Sequence, residues 1–304
     1  MNKVEKLIYG ILRNIAKRKL TNNLGRVVEE EGKLICYVKK EKIKDKSTIC
    51  CYGIPNDLKD FAKKFKLNKP ICYVFDSIDL SENKRIFGYN NCEVIIKNCK
   101  FNFRPFIHIN GKCTLEDIII KDYNLLIIGA DELIIKNMNL NNLYLFAGRH
   151  SYAKIDAKKS IKIIDSNIGK EDIAINLGLF TDDLEIINSK ISGDDVECKS
   201  KKINIDENST LSASNKVEIE ADDFNSINVS SPVIILNGEK VSNAKEKVTL
   251  KKVTDLLVSK RMELLNVLKT IKNNCESANS QMTLQYQEEL NNQPINKTLR
   301  KIDK

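Results

Sequence analysis

Five nine-residue segments share one alternation of apolar and polar places: 93–101 (EVIIKNCKF), 117–125 (DIIIKDYNL), 132–140 (ELIIKNMNL), 160–168 (SIKIIDSNI) and 183–191 (DLEIINSKI). In every copy places two, four and nine are apolar and place six is Asn or Asp. The two-residue alternation and the β-branched content predict strands, because successive side chains of a strand point to opposite faces. Degenerate copies start at Lys202 (KINIDENST) and Lys216 (KVEIEADDF), and starts lie 14 to 28 residues apart. A fixed core contribution with variable loops is the pattern of a solenoid, in which equivalent side chains sit above one another. Asn and Asp tolerate the left-handed backbone of a sharp turn, so Asn98, Asp122, Asn137, Asp165 and Asn188 are expected to turn corners and to stack in a ladder.

The flanks follow other periods. Val4, Leu7, Ile8, Ile11, Leu12 and Ile15 recur at three- and four-residue steps, which predicts an amphipathic helix over residues 2–19 that caps the solenoid with its apolar face. Residues 32–70 read as strand (34–38), charged turn, strand (48–52) and a short helix from Asn56, either a separate module or the first layer of the repeat. After Asn243, Leu250, Leu257, Leu264, Ile271 and Ala278 repeat every seven residues, predicting a long helix that caps the solenoid or pairs as a coiled coil. The expected organisation is a basic α+β N-terminal cap or module (1–70), a parallel β-helix (71–242), a C-terminal helix (243–291) and a loose tail (292–304).

On the repeat pattern of residues 71–237 the chain resembles the right-handed parallel β-helix, or pectate-lyase-like, superfamily. That resemblance implies a mainly β fold and no particular reaction.

Charge is distributed unevenly. Residues 1–70 hold 18 basic and 8 acidic side chains, the remainder 32 and 33. Lys3, Lys6, Arg13, Lys17, Arg18 and Lys19 on the first helix are therefore candidates for contact with an anionic partner, a membrane surface or a nucleic acid. An apolar content of 42% is enough for a large core. Nine cysteines form no CxxC pair and no zinc-ligand spacing, which points to a reducing, cytoplasmic setting and to no metal or cofactor. No apolar run has the length of a transmembrane helix, and no signal peptide is evident.

Candidate chemistry is sparse. Ser192-Gly193-Asp194-Asp195, followed by Cys198 and Lys199-Ser200, is similar to the Gly-Asp-Asp segment of polygalacturonase-type glycoside hydrolases over residues 184–203. The resemblance implies paired aspartates as acid and base, and Asp182, Asp183, Asp194 and Asp195 are the catalytic candidates on adjacent coils. The family's Asn-Thr-Asp, Gly-His-Gly and Arg-Ile-Lys segments are missing, and the last histidine is His150. His108 belongs to an alternating strand and is expected to face solvent. Arg149, His150 and Tyr152 occupy a long inter-strand loop, the kind of place where a rigid scaffold carries binding groups. The leading expectation is a non-catalytic scaffold or assembly protein, similar in kind to bactofilin-type polymer formers, that binds a protein or polymer partner or itself. The alternatives are a divergent carbohydrate-active enzyme and a docking protein that uses its basic N-terminal part.

Overall fold

A residue that points inward in one coil sits on the equivalent inward residue of the next, and this stacking builds the molecule. The computed structural model describes residues 3–21, 23–31, 33–54, 56, 59–64, 67, 69–81, 85–102, 105–121, 125–140, 151–169, 175–225, 228–249, 262 and 265–267. The N-terminal part runs α1 (Lys3–Leu20), β1 (Gly25–Glu30), β2 (Lys33–Val38), α2 (Lys40–Ile43), β3 (Thr48–Tyr52) and α3 (Lys59–Lys64). Then come β4 (Cys72–Asp76), β5 (Arg85–Lys97), β6 (Lys100–Asn102), β7 (Phe106–Glu116), β8 (Ile119–Lys121), β9 (Leu125–Lys136), β10 (Ser151–Ile164) and β11 (Asn167–Ile168). The C-terminal part continues with β12 (Ile175–Phe180), β13 (Asp183–Ile187), β14 (Lys190–Lys199), β15 (Lys202–Ile205), β16 (Thr210–Glu220), β17 (Asp223–Asn225), β18 (Val229–Leu236) and β19 (Glu239–Thr249).

Each coil has three sides. The repeat side stacks Cys36, Tyr73, Val94, Cys113, Leu133, Ile161, Leu184, Ile203 and Phe224 in one inward column, every pairing parallel. The side before it stacks Ile49, Ile86, Ile107, Ile128, Ile155, Leu179, Cys198, Ile219 and Leu236. A third, shorter side includes Phe101 on Ile120 and, further on, Ile168, Ile191, Leu211 and Val229. All of these side chains are buried. Each large aliphatic one contributes about 1.5–3 kcal/mol, so the columns carry the stability. The chain is a parallel β-solenoid.

The corner between the repeat side and the third side is made by left-handed residues: Ser77, Asn98, Asp117, Asn137, Asp165 and Asn188 all have φ between 45° and 56°. Their backbone N–H groups donate to the next coil, Asn98 to Glu116 O (3.1 Å), Asp117 to Lys136 O (3.2 Å) and Asn137 to Ile164 O (3.2 Å). Side chains add a partial ladder, with Asn98 Nδ2 donating to Asp76 Oδ1 (3.1 Å) and Asn188 Nδ2 to Asp165 Oδ1 (2.6 Å).

The repeat register and the segment after it need correction. The second repeat copy starts at Lys112, not Asp117, because Lys112 stacks on Glu93 and Glu132 and puts Asp117 at the corner; Asp122, expected there, lies outside the described residues. The apolar run Ile118–Ile120 hid this register, since Ile118 and Ile120 point inward while Ile119 is exposed. The copy at Lys216 belongs to a different side, stacking on Asp195 and Val233. Finally, residues 243–249 extend β19, antiparallel to β18, where a helix was expected. Met262 and Leu265–Val267 are helical; the rest of the expected C-terminal helix, including Leu250, Leu257, Leu264, Ile271 and Ala278, and the tail lie outside the described residues.

The solenoid also begins earlier than residue 71. β2 pairs parallel with β4, and β3 with β5, so both strands belong to its first layer. β1 closes that end antiparallel to β2, and α1 packs on it through Ala16, Leu20 and the partly buried Tyr9. The apolar stripe expected to face inward is turned outward where it is described: Ile11, Leu12 and Ile15 are 53%, 48% and 57% exposed. The packed face is instead the one that carries Tyr9, Ala16 and Leu20, with ion pairs along its edge. Arg13 and Lys17 on the inner edge of α1 both reach Glu29 of β1, Lys17 at 2.7 Å.

Candidate functional site

The four aspartates proposed for hydrolysis do not converge. Asp195 stacks on Asn176 at the start of β12, whereas Asp182 and Asp183 follow β12 at its other end. The two pairs are thus a strand's length apart, about 20 Å at the usual rise. Inverting hydrolysis works across roughly 6.5–9.5 Å. The side chains are also engaged in holding coils together: Asp194 accepts from Ser214 Oγ and Asp195 from Asn215 Nδ2, both at 2.7 Å, and Asp182 pairs with Lys201 at 3.0 Å.

His108 is exposed on β7, with its imidazole over Gly129, where a Cβ would lie 2.8 Å from Nδ1. Tyr152 belongs to β10 instead of a loop tip; Arg149 and His150 lie outside the described residues. Sequence reasoning missed an aromatic row on the outside of the same side of the solenoid. Tyr52 stacks on Tyr89 (5.1 Å), Phe87 on Tyr89 (6.3 Å), and Phe106 tilts against Phe87 (5.4 Å). Tyr52 and Tyr89 are a cross-strand pair, whereas Phe87 and Tyr89 lie two apart on β5.

Many lysines on the solenoid walls lie against a carboxylate, either on an adjacent coil or two residues away on the same strand. Lys97 pairs with Asp76 (3.1 Å), Lys162 with Glu185 (2.7 Å), Lys199 with Glu197 and Glu220 (3.0 and 3.5 Å), and Lys216 with Glu218 (2.8 Å). Asn98, Lys97 and Ser77 together hold the Asp76 carboxyl below the usual carboxylate range.

The N-terminal end differs. A hollow of about 580 Å³ opens between the last turn of α1, β1 and the β2–α2 connection, lined by Asn14, Lys17, Arg18, Asn23, Arg26, Lys39 and Lys42 among others, with no carboxylate among the described residues of its wall. Local chemistry builds it. Asn23, left-handed at φ 51°, ends the helix by donating its N–H to Arg18 O (3.1 Å), and Thr21 Oγ1 donates to Lys17 O (2.9 Å). Lys17 and Arg18 in the last turn suit the negative end of the helix dipole. Gly25 then lets β1 approach β2, since a Cβ there would meet Tyr37 O at 1.8 Å. Lys39 is held in place by its N–H to Leu24 O (3.1 Å).

Lys17 is bound to Glu29, whose carboxyl burial pushes up but Lys17 and Arg13 hold below its ordinary value. Arg18, Arg26, Lys39 and Lys42 have no carboxylate at ion-pair distance among the described residues. Of the six cations singled out on the first helix, the hollow gathers Lys17 and Arg18. Arg13 faces Glu29, and the side chains of Lys3, Lys6 and Lys19 lie outside the described residues. Arg26, Lys39 and Lys42 were not singled out in the sequence, though the basic excess of residues 1–70 contains them.

Among the described residues no group of His, Cys, Asp and Glu could hold a metal ion, and no helix is long and apolar enough to cross a membrane. No protein-family model, curated protein or solved structure compared with the chain matches it.

Proposed function

We propose that the protein is a non-catalytic β-solenoid scaffold that holds an anionic partner at its N-terminal end. One contrast carries this reading: many wall lysines lie against a carboxylate, as Lys162 does on Glu185 of the next coil and Lys199 on Glu197 of its own strand and Glu220 of the next coil, whereas Arg18, Arg26, Lys39 and Lys42 converge on a hollow with none among the described residues. Unmatched cations around a concavity focus potential and raise the local concentration of anions. The separation of Asp182 and Asp183 from Asp194 and Asp195 argues against the hydrolase alternative.

Titration with inorganic polyphosphate tests the reading. Salt-sensitive binding that is lost in Arg26→Glu/Lys42→Glu, both exposed positions, is the expected result. Binding unchanged in that variant, or release of reducing ends from polygalacturonate that disappears in Asp194→Asn, would overturn it.

A further inference from the structure

The outer face of α1 joins two surfaces that usually occur apart. On the helix, residues three, four and seven apart share a row, so Ile11, Ile15 and Arg18 lie along one line, with Leu12 on one flank and Asn14 on the other. The three apolar side chains of this face are about half exposed, while the basic hollow opens directly beside Arg18 and Asn14. Ala16 and Leu20 anchor the opposite face in the core, and Arg13 and Lys17 at its edge pair with Glu29. An aliphatic row outward with cations at its border is the arrangement of a helix lying in a membrane interface.

We propose that α1 rests on an anionic lipid bilayer, with Ile11, Leu12 and Ile15 entering the boundary between headgroups and acyl chains and Arg18, Arg26, Lys39 and Lys42 meeting lipid headgroup anions. This rests on the anion-binding reading of the N-terminal end and adds the identity of the partner. A nucleic acid would satisfy the cations but give the aliphatic row nothing to contact. A bilayer satisfies both at once.

The test is flotation of the full chain with phosphatidylcholine vesicles with and without phosphatidylserine, at about 0.1 M and about 1 M salt. The expected result is binding to the phosphatidylserine vesicles at low salt. Arg26→Glu/Lys42→Glu should weaken it on the order of 25-fold or more, at about fivefold for each cation lost near an anionic surface. Ile11→Asp/Ile15→Asp should abolish vesicle binding yet leave polyphosphate titration intact, and because both side chains are exposed the variant should keep the wild-type circular dichroism.

Three results would overturn the proposal. They are the absence of vesicle binding while polyphosphate still binds, binding to single-stranded nucleic acid at least as tight as to vesicles and indifferent to Ile11→Asp/Ile15→Asp, and a dimer in light scattering that the same variant dissociates. Loss of polyphosphate binding altogether would instead remove the underlying anion-binding reading.

Discussion

The backbone N–H of Ser166 donates to Oγ of Ser189, one coil further on, at 3.0 Å. Met138 N–H donates to Ser166 Oγ (3.1 Å) and Ser189 N–H to Ser209 Oγ (3.0 Å), so three buried hydroxyls in a column each satisfy the amide of the coil before. Each hydroxyl also has an acceptor for its proton; Ser166 donates to Ile164 O (2.7 Å) and Ser189 to Ile187 O (2.6 Å). The corner after the left-handed residue is thus closed by polar groups that are fully paired inside the tube.

Removing one rung should leave a buried amide without a partner. Ser189→Ala is expected to destabilise by about 1–3 kcal/mol, the cost of an unsatisfied buried donor. Urea denaturation measures it. A change below about 0.5 kcal/mol, within the range of surface substitutions, would mean that the ladder is replaceable by water.

Asn137 tests the corner itself. Its φ is 49°, a conformation that costs an ordinary L residue about 1–2 kcal/mol. Asn137→Val should therefore lower stability by at least that much, while Asn137→Gly should change it by less than about 1 kcal/mol, because glycine enters the left-handed region freely. Equal losses in both variants would show that the Asn side chain, and not the backbone angle, holds the position.

The thiols report on the interior. Burial pushes Cys36 and Cys99 up to about 11 and Cys72, Cys92 and Cys198 up to about 12; Cys51 and Cys113 are raised further, again by burial. Alkylation proceeds through the thiolate, so at pH near 8 these residues should react at least about 100-fold more slowly than a free cysteine. Cys50, only partly buried, should be modified first among the described cysteines. Mass spectrometry of the native protein after brief iodoacetamide treatment gives the order, and rapid labelling of Cys198 before unfolding would contradict a packed tube.

The sequence pattern was readable wherever an inward column and a left-handed corner coincide in one segment. Val94 and Ile96 with Asn98, or Leu184 and Ile186 with Asn188, announce both at once. It misled where apolar residues filled outward places: Ile119 next to Ile118 and Ile120 shifted one copy by five residues relative to its neighbours in the stack. It also missed the serine column, because a hydroxyl inside a core looks like a loop residue until its partners on adjacent coils are known. The basic hollow was hidden for the same reason. Arg18, Arg26, Lys39 and Lys42 are separated along the chain, and only the antiparallel pairing of β1 with β2 and the docking of α1 bring them together. On the first helix the apolar stripe was visible, but its direction was not: Tyr9, Ala16 and Leu20 face the protein, and Arg13 and Lys17 beside them meet Glu29.

That contact makes the N-terminal cap sensitive to acid. Burial pushes the Glu29 carboxyl up, yet Lys17 and Arg13 outweigh it, so the folded-state value lies below the unfolded one. Its contribution to stability is complete above the unfolded carboxylate value, about 4.3, and is lost as pH falls through the lower, folded value. A network of this partly exposed kind is worth about 1 kcal/mol or less, which is too little to unfold the solenoid but enough to loosen a helix held by few core residues. Amide protection factors, which remove the intrinsic slowing of exchange in acid, should accordingly fall in α1 before they do in β5 or β7 as the pH is lowered. Glu29→Gln, which keeps the shape and removes the charge, should show the faster α1 exchange already at neutral pH and lose the acid dependence in that element. If α1 in Glu29→Gln exchanges as slowly as in the parent protein at neutral pH, the helix is held by Ala16 and Leu20 alone and the ion pairs do not set its orientation.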